Sequence, residues 1–380
     1  MIWMNKMKEI NIGIVGVGLL GNYHNQAIQT IAEGSYFPEE VKVSVLGICD
    51  NRKAHVQEYA KTWNIPNVFT DWKDILELDS INTIYIATPT VSHKDIFIAA
   101  ADAGKHIFVQ KPLAFTIEDI QEMIEARDRN GIYVQVGHSL RLHPGFWTIR
   151  MICRDSNYRK KMGRLFNIHF RSDQEKPYTG GGFHPSFWRQ DKRQAHAGTL
   201  FEHSIHDFDL MRYWFGDEYS FSEVYAKVKY FFEKESIEDS VGVLAEMRKK
   251  DGGIGPTFSL TSVWHNIHRD ARHIEVFWEN AHLEVKYSLL RVWGTLEIEG
   301  EETIEFDEEQ MDRDYREFIG YPNSPPIYLT NYGYETLLFL DALVKGEPNS
   351  EVAHLEDSRR SHELVEACYI SSREKRQIEV

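Results

Sequence analysis

Near its N-terminus the chain reads Asn11-Ile-Gly-Ile-Val-Gly-Val-Gly-Leu-Leu-Gly21, and no other stretch restricts the fold as much. Ile12, Ile14, Val15 and Val17 make an apolar strand, after which Gly16, Gly18 and Gly21 fall in G-x-G-x-x-G spacing. A nucleotide-binding turn needs this order. The first glycine permits the tight turn, the second lets the backbone approach a pyrophosphate, and the third lets the next helix lie against its strand. Free N–H groups at the start of that helix, around Gly18, Leu19, Leu20 and Gly21, then point at the phosphates. Glycines near a strand end also serve as plain turn formers, so the surrounding chain has to carry the distinction.

A helix-length segment from Asn22 leads to a second apolar run, Val43-Ser-Val-Leu-Gly-Ile-Cys-Asp50, which ends in an acid. Asp50 lies beyond the usual spacing of about 20 residues, and Tyr36-Phe-Pro-Glu-Glu40 reads as a surface insertion that accounts for the excess. A carboxylate at that strand end accepts both ribose hydroxyls of an adenosine, which favours NAD over NADP. Asn51 and Arg52 follow it, and an arginine there can neutralise a 2'-phosphate. Asp50 as a helix N-cap or turn acid is the plainer alternative.

A chain of 380 residues is long enough for two domains. Its formal charge of -15, with no large Lys/Arg cluster, argues against nucleic-acid or anionic-membrane partners. Arg159-Lys-Lys161 is short and reads as a solvated loop. Cys49, Cys153 and Cys368 are far apart and without metal spacing, so they suggest incidental thiols in a reducing compartment. No run reaches transmembrane length, and Met1–Ile10 is too short and charged for a signal peptide. The expected location is the cytoplasm.

Further along, strands and helices alternate. Thr83–Ala87 is a buried strand followed by Thr88-Pro89 and a helix from His93, and His106–Val109 is another, ending in Gln110-Lys111-Pro112. Proline stops a strand and presents a loop at its C-terminal end, where open α/β sheets bind ligands. Thr88, Pro89, His93, Gln110 and Lys111 therefore join the coenzyme candidates, although Lys111 also fits a surface cap. Glu118–Arg129 and Ile132–Val136 complete the α/β pattern of a doubly wound parallel sheet. The expected domains are 9–137, a Rossmann dinucleotide-binding unit, and 138–380, an α+β substrate-binding and oligomerisation unit. From Gly163 onward the strands alternate with period two, as in Glu223–Tyr230, which predicts a large, mostly antiparallel open sheet. A loop with Gly180-Gly-Gly182 and Trp188 interrupts it as a lid or an ordinary mobile loop. Final helices are expected over Tyr332–Val344, with Asn331 as N-cap and Gly346 as stop, and over Asp357–Arg373.

The densest polar segment is Gly198-Thr-Leu-Phe-Glu-His-Ser-Ile-His-Asp-Phe-Asp-Leu-Met-Arg-Tyr-Trp-Phe-Gly216. On one α-helix Glu202, His206 and Asp209 share a face, with His203 and Asp207 beside them. An acid four residues from a histidine can orient its ring, and histidine can take a hydroxyl proton near neutral pH. Two alternatives stand: an ordinary helix-stabilising pair, and a metal site built from His203, His206 and an acid.

The chain resembles the glucose–fructose oxidoreductase / inositol dehydrogenase / MocA-type (Gfo/Idh/MocA) family of NAD(P)-dependent oxidoreductases. The resemblance covers nearly the whole chain and rests on Gly16–Gly21, Ala87-Thr-Pro89 with His93, Gln110-Lys111-Pro112, Arg141-Leu-His-Pro144, Met162–Leu165 and Gly198–Gly216. It implies a Rossmann domain followed by an α/β domain whose open sheet makes oligomer contacts, here a homodimer or homotetramer. It implies oxidation or reduction of a secondary alcohol of a sugar, polyol or inositol. By the same resemblance Lys111 hydrogen-bonds the reacting oxygen and contacts the nicotinamide ribose, His206 is the catalytic histidine and Glu202 its acid. The chain departs from the family pattern twice, with Gln110 where a glutamate usually precedes the lysine and Glu202 where the acid is often aspartate.

The expected reaction is hydride transfer between NAD and a carbinol carbon, with His206 taking the proton, Glu202 orienting it and Lys111 polarising the oxygen. Arg141, His143, Trp188, Arg189 and His203 are candidates for the substrate wall beside Lys111 and His206. No resident metal is expected. The rival is a non-catalytic dinucleotide or sugar sensor, which has no need for that proton-transfer set.

Overall fold

Strand β1 (Glu9–Val15) buries Ile10, Ile12, Ile14 and Val15 almost completely, as befits a central strand covered on both faces. The computed structural model describes residues 6–34, 36–177, 186–216, 218–232, 237–267, 270–288, 291–322 and 330–380. Chain contacts divide the protein into two units, Met1–Leu142 with Asn323–Arg359, and His143–Pro322 with Arg360–Val380.

In the first unit β1 is joined by β2 (Lys42–Cys49), β3 (Asn67–Phe69), β4 (Thr83–Ile86), β5 (His106–Gln110) and β6 (Val134–Gly137). All pairs are parallel, in the order β3-β2-β1-β4-β5-β6. This is the predicted doubly wound sheet, and the order reverses between β1 and β4, the position where such sheets bind ligands. Helices alternate with the strands and begin and end on expected signals. Asp71 caps Trp72–Leu76 by accepting from the Lys73 N–H, and Thr116 caps Ile117–Asn130 by accepting from the Asp119 N–H.

The unit is not contiguous in sequence, whereas the expected first domain was the single run 9–137. Helix Thr330–Lys345 returns to pack on helix Leu19–Glu33, with the Tyr23 and Tyr332 rings 5.4 Å apart. Phe339 lies against Tyr85, Phe108 and Tyr133, and the Val136 N–H donates to the Ala353 carbonyl. Apolar faces of the sheet residues require this cover, and the chain supplies it from near its C-terminus. Asn331 lies inside that helix rather than capping it, while Gly346 ends it with φ +70° as expected.

Among the described residues the second unit holds a nine-stranded mixed sheet. Its strands are β7 (Leu165–Glu175), β8 (Tyr219–Lys229), β9 (Ser240–Lys249), β10 (Ile254–His265), β11 (Asp270–Trp278), β12 (Ala281–Ser288), β13 (Arg291–Ile298), β14 (Ile304–Glu305) and β15 (Ile378–Glu379). The order is β14-β13-β12-β11-β7-β10-β9-β8-β15, antiparallel except for β7 with β10. Burial alternates along β9 and β10, so one face packs on helices and the other faces outward. Tyr225 and Leu244, a cross-strand pair, are exposed on that outer side together with Trp293.

Arg159-Lys-Lys161, expected as a loop, forms the last turn of helix Ser156–Met162. Asp155 starts that helix by accepting from the N–H groups of Asn157 and Tyr158, and basic residues favour its C-terminal end. All three cysteines are buried free thiols. Among the described residues no helix is long and apolar enough to cross a membrane. Gly180–Gly182 lie outside the described residues.

Candidate functional site

The glycine turn sits at the end of β1, where the order reverses. Gly16 has φ +91°, and a Cβ on it would lie 2.6 Å from the Ala87 carbonyl oxygen. A Cβ on Gly21 would lie 1.9 Å from the Gly16 carbonyl oxygen. Both positions therefore require glycine for closeness within the protein. Gly18 differs, because a Cβ there would meet nothing within 4 Å. That open space faces the start of helix Leu19–Glu33, whose first turn has no side-chain cap. Bare amides beside an open cradle fit a pyrophosphate. His55, which the sequence did not single out, braces the turn with its Nε2 at 2.8 Å from the Val17 carbonyl oxygen.

Asp50 stands at the end of β2, as predicted. Its Oδ2 accepts from the Val17 N–H at 3.2 Å, tying the acid to the glycine turn. The Arg52 side chain donates to it twice, Nε to Oδ1 and Nη2 to Oδ2, both at 2.8 Å, and its backbone N–H donates to Oδ1 at 3.0 Å. Burial pushes the Asp50 carboxyl up, but the hydrogen bonds from Arg52 and Val17 outweigh it and hold the group below the usual carboxylate range. Asn51 beside it is exposed.

Thr88 and Pro89 are half-buried just beyond β4. His93 is 1% exposed, with Nδ1 at 2.9 Å from the Pro112 carbonyl oxygen and Nε2 at 2.9 Å from that of Thr88. Both ring nitrogens are thus directed at backbone oxygens, and His93 is a strut joining the loops after β4 and β5. Burial lowers its basicity against the pull of those carbonyls. Gln110 is buried at the end of β5, and Lys111, one residue on, is half-buried. Arg141, expected in the substrate wall, is 5% exposed, with Nη1 3.4 Å from both the Val352 carbonyl oxygen and Asp357 Oδ2. The helix leaving Leu355 supplies that acid.

In the second unit, Gly198–Gly216 is not the single α-helix expected. Thr199–His203 forms a π-helical turn, closed by the Ser204 N–H donating to the Thr199 carbonyl, and an α-helix runs from Ile205 to Phe215. The wider turn breaks the spacing that put Glu202, His206 and Asp209 on one stripe. Glu238 starts the turn: it is 1% exposed and accepts from the N–H groups of Gly198 and Leu200 and from the Tyr369 hydroxyl. Gly198 is required there, since a Cβ would lie 1.9 Å from the Glu238 carbonyl oxygen.

Burial sorts the polar residues of this segment. Glu202, His203, Asp207 and Asp209 are all at most 4% exposed, whereas His206 is the one residue from Thr199 to Met211 that is not buried. Glu202 Oε2 accepts from Arg189 Nε at 3.0 Å, and the Arg189 guanidinium stacks over the Trp188 ring at 4.5 Å. Arg189 and Trp188, expected in the substrate wall, thus bear on Glu202. Asp207 accepts from Arg272 Nε and from the Ser172 hydroxyl, each at 2.7 Å, in a fully buried ion pair that pins the helix to β7 and β11. His143, another expected wall residue, is 2% exposed. It caps helix Pro144–Arg154 by accepting from the Gly145 N–H, and packs edge-on against Tyr287. Among the described residues no three His, Cys, Asp or Glu side chains gather as a metal site.

Two family models match the chain: an oxidoreductase family with an NAD-binding Rossmann fold over residues 10–138, and the GFO/IDH/MocA C-terminal domain over residues 158–284. The chain belongs to the Gfo/Idh/MocA family of oxidoreductases. The levoglucosan dehydrogenase of Pseudarthrobacter phenanthrenivorans is 28% identical over 66% of this chain and 62% of its own length. A myo-inositol 2-dehydrogenase of Thermotoga maritima is 23% identical over 98% of each chain. The chain spans 55–62% of the length of the first curated relatives it matches. A solved structure of levoglucosan dehydrogenase with NADH and levoglucosan shares the fold at a TM-score of 0.78, with 22% identity over 98% of this chain and 99% of that one. The family's NAD-binding Rossmann model spans the residues that carry the glycine turn, Asp50 and Lys111.

Proposed function

We propose that the chain is a dehydrogenase that moves hydride between a nicotinamide coenzyme and a secondary alcohol of a sugar, polyol or inositol. The observation that carries this is that His206 alone is half-buried in an otherwise buried polar segment: a base that must reach a substrate has to be open on one side. Bound nicotinamide supplies the hydride acceptor, or the donor in the reverse direction. Gly16, Gly18 and the amides of Leu19, Leu20 and Gly21 hold the pyrophosphate, and Asp50 takes the adenosine ribose. His206 removes the hydroxyl proton as the carbinol C–H hydride leaves, which yields the carbonyl. Lys111 donates to the reacting oxygen and offsets its developing negative charge. Glu202, held by Arg189, steadies the negative field around the histidine. Arg189 and Trp188 set that acid, while His203 lies buried beside it.

Asp50 supports NAD as the coenzyme, and its bidentate pairing with Arg52 leaves NADP the weaker partner. The buried free thiols support a reducing compartment, the cytoplasm. The exposed Tyr225–Leu244 pair supports a sheet-to-sheet homodimer or homotetramer.

The test is NADH and NADPH formation from a panel of inositols, aldoses and anhydrosugars, with Lys111→Ala and His206→Ala alongside. Turnover on a panel member that falls by about 100-fold or more in each variant is the expected result. Turnover in His206→Ala within threefold of the parent would overturn the assignment.

A further inference from the structure

Amides at the start of a helical turn have no partner inside it, and at the π turn Thr199–His203 one residue takes three of them. Glu238 Oε2 accepts from the Gly198 N–H at 2.7 Å and Oε1 from the Leu200 N–H at 3.0 Å, while the Glu238 carbonyl accepts from the Thr199 N–H at 2.9 Å. The Tyr369 hydroxyl, from helix Leu355–Glu374, donates to Oε1 at 2.6 Å. Glu238 is itself built into the sheet. On one side of it Ile237 packs in the core with Trp264, and on the other the Asp239 N–H donates to the Lys229 carbonyl at 3.1 Å. The Asp239 carbonyl accepts from the Trp264 N–H at 2.8 Å, so the acid has a rigid mount between the ends of β8 and β10.

A π turn holds one residue more than an α turn, so the residues on its two sides are out of phase by about 100° relative to a continuous α-helix. Glu202 and His203 lie in the turn, and His206 is the second residue of the α-helix beyond it. That helix is anchored separately, by Asp207 on Arg272 and on Ser172. The turn is anchored by Glu238, and by Thr199 Oγ1 at 2.7 Å from Ser262 Oγ on β10. One anchor on each side of the turn fixes the angle about the helix axis between Glu202 and His206. Arg189 then meets Glu202 in the orientation that this angle sets.

We propose that Glu238 is a positioning residue for Glu202 and His206, acting through the π turn that it holds open, with Tyr369 as its brace. Without those acceptors the turn closes to α-helical spacing, Glu202 rotates off Arg189, and the surroundings of His206 change. The proposal rests on His206 serving as the base of the proposed reaction, but its test reads the histidine rather than turnover.

The experiment is NMR of the histidine ring protons in the full chain, with His203→Gln and His206→Gln to assign the signals. His55 in the first unit and His169 in the second, both exposed, are the references. Glu238→Gln keeps the side-chain shape but turns an NH2 group toward one of its donors. Hydrogen exchange at the Gly198 or Leu200 amide is therefore expected to quicken by about tenfold. The His203 and His206 signals are expected to move while the references stay put. Tyr369→Phe leaves the carboxyl in place and is expected to move the same two signals by less, which separates a change of position from a change of charge. An unmoved His206 signal in a folded Glu238→Gln protein overturns the proposal. If that variant does not fold, an unmoved His206 signal in Tyr369→Phe overturns it instead. Moved signals without turnover on any panel substrate uphold the positioning and count against the dehydrogenase assignment alone. Turnover lost in His206→Ala with an unmoved signal in Glu238→Gln counts against Glu238 alone.

Discussion

Arg189 Nε donates to Glu202 Oε2 across 3.0 Å, and the Glu202 side chain is 1% exposed against 12% for Arg189. Removing the arginine leaves a carboxylate buried without that donor. Arg189→Ala is therefore expected to lower unfolding free energy by about 3 kcal/mol, read from urea melts at pH 7. On the proposed mechanism it should also depress kcat more than KM, because Glu202 would act on the base rather than on substrate affinity. A loss under about 0.5 kcal/mol, the range of an ordinary surface substitution, would show that the pair is not structural.

Gly18 and Gly21 are predicted to separate coenzyme contact from folding. Gly18→Ala places a methyl in open space, so its melting temperature should match the parent's while NAD affinity drops by about tenfold or more. Gly21→Ala drives a methyl into the Gly16 carbonyl, so it should lose stability before any coenzyme is added. Calorimetric titration and thermal melts on both variants decide this. Unchanged NAD affinity in Gly18→Ala would remove the pyrophosphate from the turn.

How much of this was legible in the sequence depends on whether a residue's role is local. The glycine turn and Asp50 follow from nearest-neighbour geometry, and the parallel, doubly wound sheet followed from the alternation of elements. Arg141, His143 and Arg189 looked equally polar in sequence but became an ion-pair partner, a helix cap and a clamp on Glu202. Those roles are set by Asp357, Gly145 and Glu202, and no spacing rule links Arg141 to Asp357. The π turn at Thr199–His203 was invisible for a related reason. It is held by Glu238, 35 positions after His203, so a helical-spacing rule could not anticipate it.

Arg272 and Asp207 form a fully buried pair, completed by the Ser172 hydroxyl. Arg272→Met is expected to cost about 3–5 kcal/mol because it strands the Asp207 charge. The double variant with Asp207→Leu should cost much less than the sum of the singles, which a double-mutant cycle in urea measures. Additive costs would mean the two charges are not coupled.

His24 and His106 are held neutral by burial, with their rings pushed down to about 3 and about 4. Below the ordinary histidine value of about 6.5 the unfolded chain binds protons that the folded one does not, so stability falls as pH drops. The loss starts near pH 6.5 and continues down to the folded values, at up to about 1.4 kcal/mol per pH unit for each ring. His106→Asn, whose Oδ1 can accept the Tyr133 N–H in place of Nδ1, should flatten the decline between pH 6.5 and 5. An unchanged slope in that variant would exclude His106 as a source of acid sensitivity.

The return of helix Thr330–Lys345 to the first unit has a consequence for biosynthesis. Phe339 covers the rings of Tyr85, Phe108 and Tyr133, so a nascent chain that has emerged only to Leu142 carries those aromatics bare. The coenzyme-binding half is thus translated first and finished almost last, after strands β7 to β14 of the mixed sheet have left the ribosome. During that interval its open aromatic surface is a natural target for chaperones. A fragment cut after Leu142 should aggregate when expressed alone.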